Sequence, residues 1–355
     1  MAAGATDIVI RGAGPTGCAL AVALRESAHR IALVGQPGAP AAPRAAFRPI
    51  ALSYASRLIL DRLGVWESLA PSVIDAVHVS QQGGFGRTRM SAADAGVPAL
   101  GYVVDYGALL RALRARLARP VEEHEPPGAR CIVHAEGVSF DAGEKRYGQD
   151  AVVALARFSP SAGAIAHERF TREGPLALLP FQGRYALIWS ATPARARELS
   201  ECAPGDFLQA LALAVGASLG TPTEVEGRSV QPLSLRVRPS RIGPRAVFIG
   251  NAAQTLHPVA GQGLNLALRD AWDLAQLLLR ADDPGDPSTL RRYEASRRAD
   301  AAATIGVTDL LAEAFVARGR LARAARSIAL TGLDILPGPR RFFARRMIFG
   351  PSALP

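Results

Sequence analysis

The first apolar run, Asp7 to Arg11, reads as a short strand, and the stretch from Cys18 to Leu24 reads as a helix. Between them lies Gly12-Ala13-Gly14-Pro15-Thr16-Gly17, and a second apolar run follows at Arg30 to Val34. Strand, glycine turn, helix and strand at this spacing predict a βαβ unit. Gly12 permits the tight turn, Gly14 lets backbone approach a pyrophosphate, and Gly17 lets the helix lie close to the strand. The turn therefore predicts a dinucleotide site. The second strand should end in an acid for the ribose hydroxyls. Gly35 and Gln36 stand there instead, and Gln36 can donate and accept hydrogen bonds in its place.

Further along, the pattern predicts an amphipathic helix from Ser53 to Leu63 and a helix from Tyr106 to Leu117 with outward arginines. Val77–Ser80, Ala151–Arg157, His167–Phe170, Tyr185–Ser190 and Arg228–Val237 alternate or run apolar as strands, which predicts a second layer formed by an antiparallel sheet. Phe207–Val215, Asp270–Arg280 and Pro287–Phe315 read as helices. The stretch from Gly250 to Ala271 reads as the end of an apolar strand (Ala246 to Ile249), a glycine-rich turn and a helix starting near Gly261. Such a turn presents backbone N–H groups at a helix N-terminus, where a phosphate or a flavin edge is held without a charged side chain.

Composition narrows the picture. With 355 residues, 49% of them apolar, the chain can bury a sizeable core in one large or two interleaved domains. Cys18, Cys131 and Cys202 are scattered, with no metal-ligand spacing, which predicts a reducing compartment and neither disulfide frame nor metal. No leader and no membrane-spanning run is read from the chain. The formal charge is +10, almost all from arginine, with Lys145 the one lysine. Eight arginines against one acid, Asp334, lie between Arg318 and Arg346. That stretch is either a solvated helical face or a surface for anionic membrane or an acidic partner. Nucleic acid is not expected, because stacking aromatics are not interleaved.

These residues carry a resemblance that runs nearly end to end. GAGPTG at 12–17, RPIALSYASRLILDRLGVW at 48–66, ERFTREGPLALLPF at 168–181 and GNAAQTLHPVAGQGLNLALRD at 250–270 resemble the FAD-dependent aromatic hydroxylases of ubiquinone biosynthesis, within the para-hydroxybenzoate-hydroxylase-like group. The resemblance implies an α/β fold: a Rossmann-like FAD-binding domain (1–75, 99–145 and 240–285) interleaved with an antiparallel-sheet substrate domain (76–98 and 146–239), then C-terminal helices (286–355). It implies that Gly12, Gly14, Pro15 and Gly17 line the FAD pyrophosphate, that Gln36 meets the ribose, and that Arg48 reaches the phosphates or the adenosine part. Gly250 and Asn251 would contact the ribityl chain. Pro258, Gly261, Gln262, Gly263 and Asn265 would sit beside the isoalloxazine ring. His257 is read as structural, and no residue is assigned as catalytic.

The implied reaction uses NADPH or NADH to reduce FAD and O2 to form a flavin C4a-hydroperoxide that hydroxylates an apolar aromatic ring, a polyprenylated phenol of ubiquinone biosynthesis. The implied setting is cytoplasmic, at the inner face of the membrane through the arginine-rich C-terminus, within a quinone-biosynthesis assembly. Three departures stand out: Glu136 replaces an Asp, Ala267 a Gly, and the stretch between Leu117 and Cys131 is shorter than in the family. With the missing ribose acid, they keep a second expectation open, a flavin-binding accessory subunit without catalysis.

Overall fold

The computed structural model describes residues 6–35, 48–137, 143–161, 163–216, 219–256, 261–316 and 319–350. The fold is mixed α/β. One sheet has the strand order Ile242–Gly243, Ala246–Phe248, Cys131–His134, Ile8–Arg11, Ile31–Val34, parallel except at the edge where Ile242–Gly243 pairs antiparallel with its neighbour. Its strands read as near-continuous apolar runs because helices cover both faces: Ile8, Val9, Ile10 and Val133 are fully buried. The Pro15–Ala23 and Gln262–Leu278 helices, joined in one core by Leu20, Leu268 and Leu274, cover the side from which the glycine turns emerge.

An eight-stranded sheet forms the second layer. It is antiparallel with one exception: Ile165–Phe170 runs parallel to Ala76–Gln81. The reason is topological. After the hairpin of Ala76–Gln81 and Arg87–Ser91 the chain passes through the other two sheets and re-enters this one at Gly143–Ser159, so Ile165–Phe170 meets Ala76–Gln81 across a long connection and not as a hairpin partner. One face of this sheet buries Leu176, Leu187 and Trp189 beneath the helices Pro193–Glu201 and Pro204–Val215. The other face looks toward the parallel layer. A small third sheet, Pro49–Ser53, Gly101–Asp105 and Ser72–Ile74, fills the corner between them.

The C-terminal helices Arg320–Ile335 and Pro337–Phe349 close the remaining side. The first lies directly on the hairpin formed by Ala76–Gln81 and Arg87–Ser91. A Cβ at Gly86 would sit 2.3 Å from the Cα of Ser327, so only glycine admits the helix backbone there. Gln81 Nε2 donates to the Arg323 carbonyl and the Ser327 hydroxyl, and Arg340 pairs with Asp94 at 3.1 Å. Lys145, the one lysine, is tied to Asp309 and Glu313 on the Pro287–Val316 helix.

A buried ionic cluster joins the layers. Asp270, fully buried, accepts from Arg297 Nε at 2.8 Å and Arg241 Nη1 at 3.2 Å. Gln254 Nε2 at 2.8 Å and the Gly250 N–H at 3.3 Å also donate to it. Arg297 continues to Asp300, which also pairs with Arg269. Burial alone would raise the Asp270 carboxyl, but Arg241 and Arg297 hold it below the ordinary aspartate range. Asp270→Asn leaves two buried guanidinium groups undercompensated, and denaturant unfolding should read a loss of about 3–5 kcal/mol. With the folded pKa depressed, the native contribution of this carboxylate is complete above the unfolded value of about 3.9 and is lost as pH falls through the folded value. The gap between Asp270→Asn and the parent should therefore narrow in acid.

Candidate functional site

The two glycine turns meet across one cavity of about 980 Å³. That lies at the upper end of ligand-pocket volumes, roughly 300–1,000 Å³. Gly12, Gly14 and Pro15 line it from the first turn; Asn251, Gly261, Gln262, Gly263 and Asn265 line it from the second; Arg48 lies at its rim. Gly17 and Gly250 are not on the wall but directly behind it. Gln36, His257 and Pro258 lie outside the described residues.

Both turns end in helices whose N-termini are bare. The Pro15–Ala23 helix starts at Gly14 and the Gln262–Leu278 helix at Gly261, each with no side-chain cap and no acid in its first turn. An uncapped helix start leaves up to four N–H donors without intrahelical partners and a partial positive charge. Two such ends on one cavity fit a ligand with an anionic phosphate bridge at one point and a ring that gains negative charge at another. FAD has both, and the residues present fit it.

Local packing explains the glycines. A Cβ on Gly17 would lie 2.0 Å from the Gly12 carbonyl oxygen, and one on Gly12 would lie 2.5 Å from the Ala135 backbone. Gly261 has φ +60°, and a Cβ there would meet Ala51 at 2.9 Å. Ala267, where the family pattern has glycine, packs behind the turn, 3.3 Å from where a Cβ on Gly250 would stand. Gly35 is equally constrained: a Cβ there would approach Ala13 Cβ to 2.9 Å, so the strand end that would carry a ribose acid cannot carry any side chain without a shift. An acid is nonetheless present on this wall. Glu136 lines the cavity beside Gly12 and accepts from His134 Nδ1 at 2.7 Å. Burial acts to raise its carboxyl, and His134 outweighs it, leaving it below the ordinary range.

Asn265 is consumed by the protein. Its Oδ1 accepts from the Ser53 N–H at 2.8 Å and the Ser56 hydroxyl at 2.6 Å, and its Nδ2 donates to the Ala51 and Gly261 carbonyls. It thereby staples the Pro49–Ser53 strand to the second turn. Gln262 Nε2 donates to the Met347 carbonyl at 3.2 Å and ties the same turn to the C-terminal helices. Arg48 lies over the Tyr106 ring at 4.8 Å, and no carboxylate pairs with it among the described residues.

Beyond the turns the cavity continues onto the open face of the eight-stranded sheet, whose lining is mostly apolar but includes Thr88, Glu168, Ser229, Gln231, Ser234 and Thr255. Arg326, Leu330, Phe343 and Met347 close it from the C-terminal helices. Sequence reasoning missed Glu168 and this roof. Gly14 differs from Gly17 in having open space, with no atom closer than the Tyr106 hydroxyl at 3.8 Å. Gly14→Ala should therefore leave the melting temperature of the apoprotein unchanged while weakening FAD binding at least tenfold in a flavin-fluorescence titration, whereas Gly17→Ala should lower both.

Comparison with known proteins agrees with this geometry. Residues 114–308 match the family model described as FAD binding domain. Ubiquinone hydroxylase UbiL of Rhodospirillum rubrum is 28% identical over 96% of this chain and 88% of its own length. The 3-demethoxyubiquinol 3-hydroxylase of Escherichia coli is also 28% identical, over 83% of this chain and 86% of the relative. Among solved structures, a point variant of Klebsiella pneumoniae HpxO complexed with FAD shares the fold with a TM-score of 0.73 at 17% identity, covering 98% of this chain and 100% of that one. The p-nitrophenol 4-monooxygenase PnpA of Pseudomonas putida does so at 0.74 and 15%, covering 96% of each. The chain belongs to the FAD binding domain family and is a flavin-dependent monooxygenase with FAD as its cofactor.

Proposed function

We propose that the protein hydroxylates the aromatic ring of a ubiquinone precursor, a polyprenylated phenol, with NADPH or NADH as electron donor and O2 as oxidant. The observation that carries this reading is the single cavity whose two halves differ in character: helix N-termini and glycine backbone at one end, an apolar sheet face at the other. FAD, when bound, supplies the electron-transfer and oxygen chemistry. The chain's own part is to hold and orient. Gly12, Gly14, Pro15 and Arg48 would hold the phosphates, Asn251 the ribityl chain, and Gly261, Gln262 and Gly263 the ring edge, with Asn265 fixing the turn and Gly17 and Gly250 letting the two turns pack closely behind the wall. The sheet face would receive the substrate, and the C-terminal helices would exclude water from the reacting atoms. In this reading 1–75, 99–145 and 240–285, which contain the parallel layer, form the cofactor domain, and 76–98 with 146–239 the substrate domain. The relatives named for ubiquinone hydroxylation support the substrate class. The continuous cavity weighs against an accessory subunit without catalysis.

A membrane-surface role fits an apolar substrate. No helix among the described residues is long and apolar enough to cross a membrane. The outer face of Arg320–Ile335, however, carries Leu321, Ile328 and Ile335 at 88%, 66% and 68% exposure, spaced two turns apart, and exposed Arg323 lies elsewhere on the same helix. Exposed Phe342, Arg341 and Arg345 extend the surface. Exposed apolar and cationic side chains on these two helices suit an anionic bilayer surface.

Two measurements test the proposal. Anaerobic NADPH should bleach the flavin absorption and air restore it, with 2-prenylphenol converted to a product one oxygen atom heavier by mass spectrometry; reoxidation with no oxygenated product would refute it. The combined substitution Leu321→Ser, Ile328→Ser and Ile335→Ser should abolish sedimentation with phosphatidylglycerol-containing vesicles while FAD content stays unchanged; undiminished sedimentation would remove the membrane contact.

A further inference from the structure

We propose that Glu168 is the group that receives the proton of the substrate's phenolic hydroxyl, which makes this site one for free phenols and not for their ethers. The inference rests on the phenol-hydroxylase reading above and names the residue that would activate the ring.

The argument begins with register. Glu168 lies on Ile165–Phe170, paired with Val79 on one side and Ala177 on the other. Val79 pairs with Thr88, Ala177 with Ile188, and Ile188 with Val153. The row Thr88–Val79–Glu168–Ala177–Ile188–Val153 therefore crosses the sheet on one face, and every member lines the cavity. A carboxyl sits in this row with apolar Val79 and Ala177 on either side, without hydrogen bond or ion pair among the described residues. The residue is half-buried where it borders the cavity, and once a ligand fills that space a carboxylate there is costly unless something pairs with it. The Thr88 hydroxyl in the same row is 1% exposed and also lacks a partner among the described residues. The Thr88 oxygen is closed off from the cavity, so the unpaired carboxyl of Glu168 is the group on this wall that points to a ligand bringing a hydroxyl.

The surroundings explain the carboxyl's chemistry. His78, Arg87, Arg89, His167 and Arg169 belong to the alternate positions of these strands and lie on the opposite face. From the covering helices, Arg326 reaches Gln81 and lies over Phe170, while Asp309 and Glu313 bind Lys145. At the flavin end, Arg48 is over Tyr106 and Glu136 is on His134. None of these charges perturbs Glu168. Burial alone pushes its carboxyl up to about 7. That brings it closer to a phenol, whose pKa is about 10, than an ordinary glutamate stands.

The step is a proton transfer with no redox change. The substrate O–H bond breaks, an O–H bond forms on the Glu168 carboxylate, and the electron pair stays on the phenol oxygen, enriching the ring for attack by an electrophilic oxygen. Glu168 returns the proton to the product before release. An aryl methyl ether has no proton to give and would leave the carboxyl unpaired.

The test uses the FAD-loaded full chain with 2-prenylphenol and its methyl ether between about pH 5.5 and 8.5. Wild type should bind and hydroxylate the phenol, with kcat falling as pH drops below about 7, and should bind the ether at least tenfold more weakly. Glu168→Gln should lose about 10²–10⁴-fold in kcat, with little change in KM, in flavin content or in the rate of flavin reduction by NADPH, and should lose the pH limb. Glu168→Asp should keep the limb at a lower rate. Full activity of Glu168→Gln with an unchanged limb would overturn the inference and leave the phenol-hydroxylase reading standing. A wild type that binds neither compound would overturn both. Should Glu168→Gln lose FAD, the Glu168→Asp profile and the wild-type preference for phenol over ether decide: absence of both refutes the proposal.

Discussion

The structure depends on one buried carboxylate. Asp270 collects Arg241 from the strand region, Arg297 from the long C-terminal helix, Gln254 and the Gly250 N–H, all donors that come from separate parts of the chain. Burying such ions costs several kcal/mol each, and a well-packed apolar cluster would often be at least as stable. What the ions supply and oil would not is direction. Asp270 sits five residues along from Asn265 on the Gln262–Leu278 helix, so fixing its carboxylate fixes the helix start and the 250–252 turn together. The second glycine turn then stands at a defined place against Thr16 of the first.

From that constraint the rest follows in layers. Asn265 locks the second turn to the Pro49–Ser53 strand, Gln262 locks it to the C-terminal helices, and both leave backbone N–H groups facing the cavity. The site is thus polar through its backbone and apolar through its side chains. A flavin ring needs the first property where negative charge gathers and the second where water must stay out.

The parts legible in the sequence are those whose chemistry is local. GAGPTG between two apolar runs, Ser53 before an amphipathic helix, and the glycine-rich turn before Gln262 all act within a few residues, and the structure places strands and helices there. Pro175–Phe181 escaped because prolines at both ends of LALL argue against a strand, and Arg87–Ser91 because its alternation is carried by Thr88 and Met90 among arginines. The crossover pairing of Ile165–Phe170, the Asp270 cluster and the wall position of Glu168 depend on partners tens of residues away. No local pattern encodes them. The basic C-terminal stretch showed its amphipathicity in sequence but not what its inner face covers, which is the cavity itself.

The cavity wall begins at Gly12 and is completed at Ile348. A ribosome therefore delivers the first phosphate-binding turn long before the second, and the roof after both. Nascent chains expose the apolar sheet face until the final helices dock, a stretch of synthesis in which that surface is open to misassembly. Flavin supply cannot shorten that interval, because the nucleotide has no enclosed place to settle until nearly every residue described here has been made.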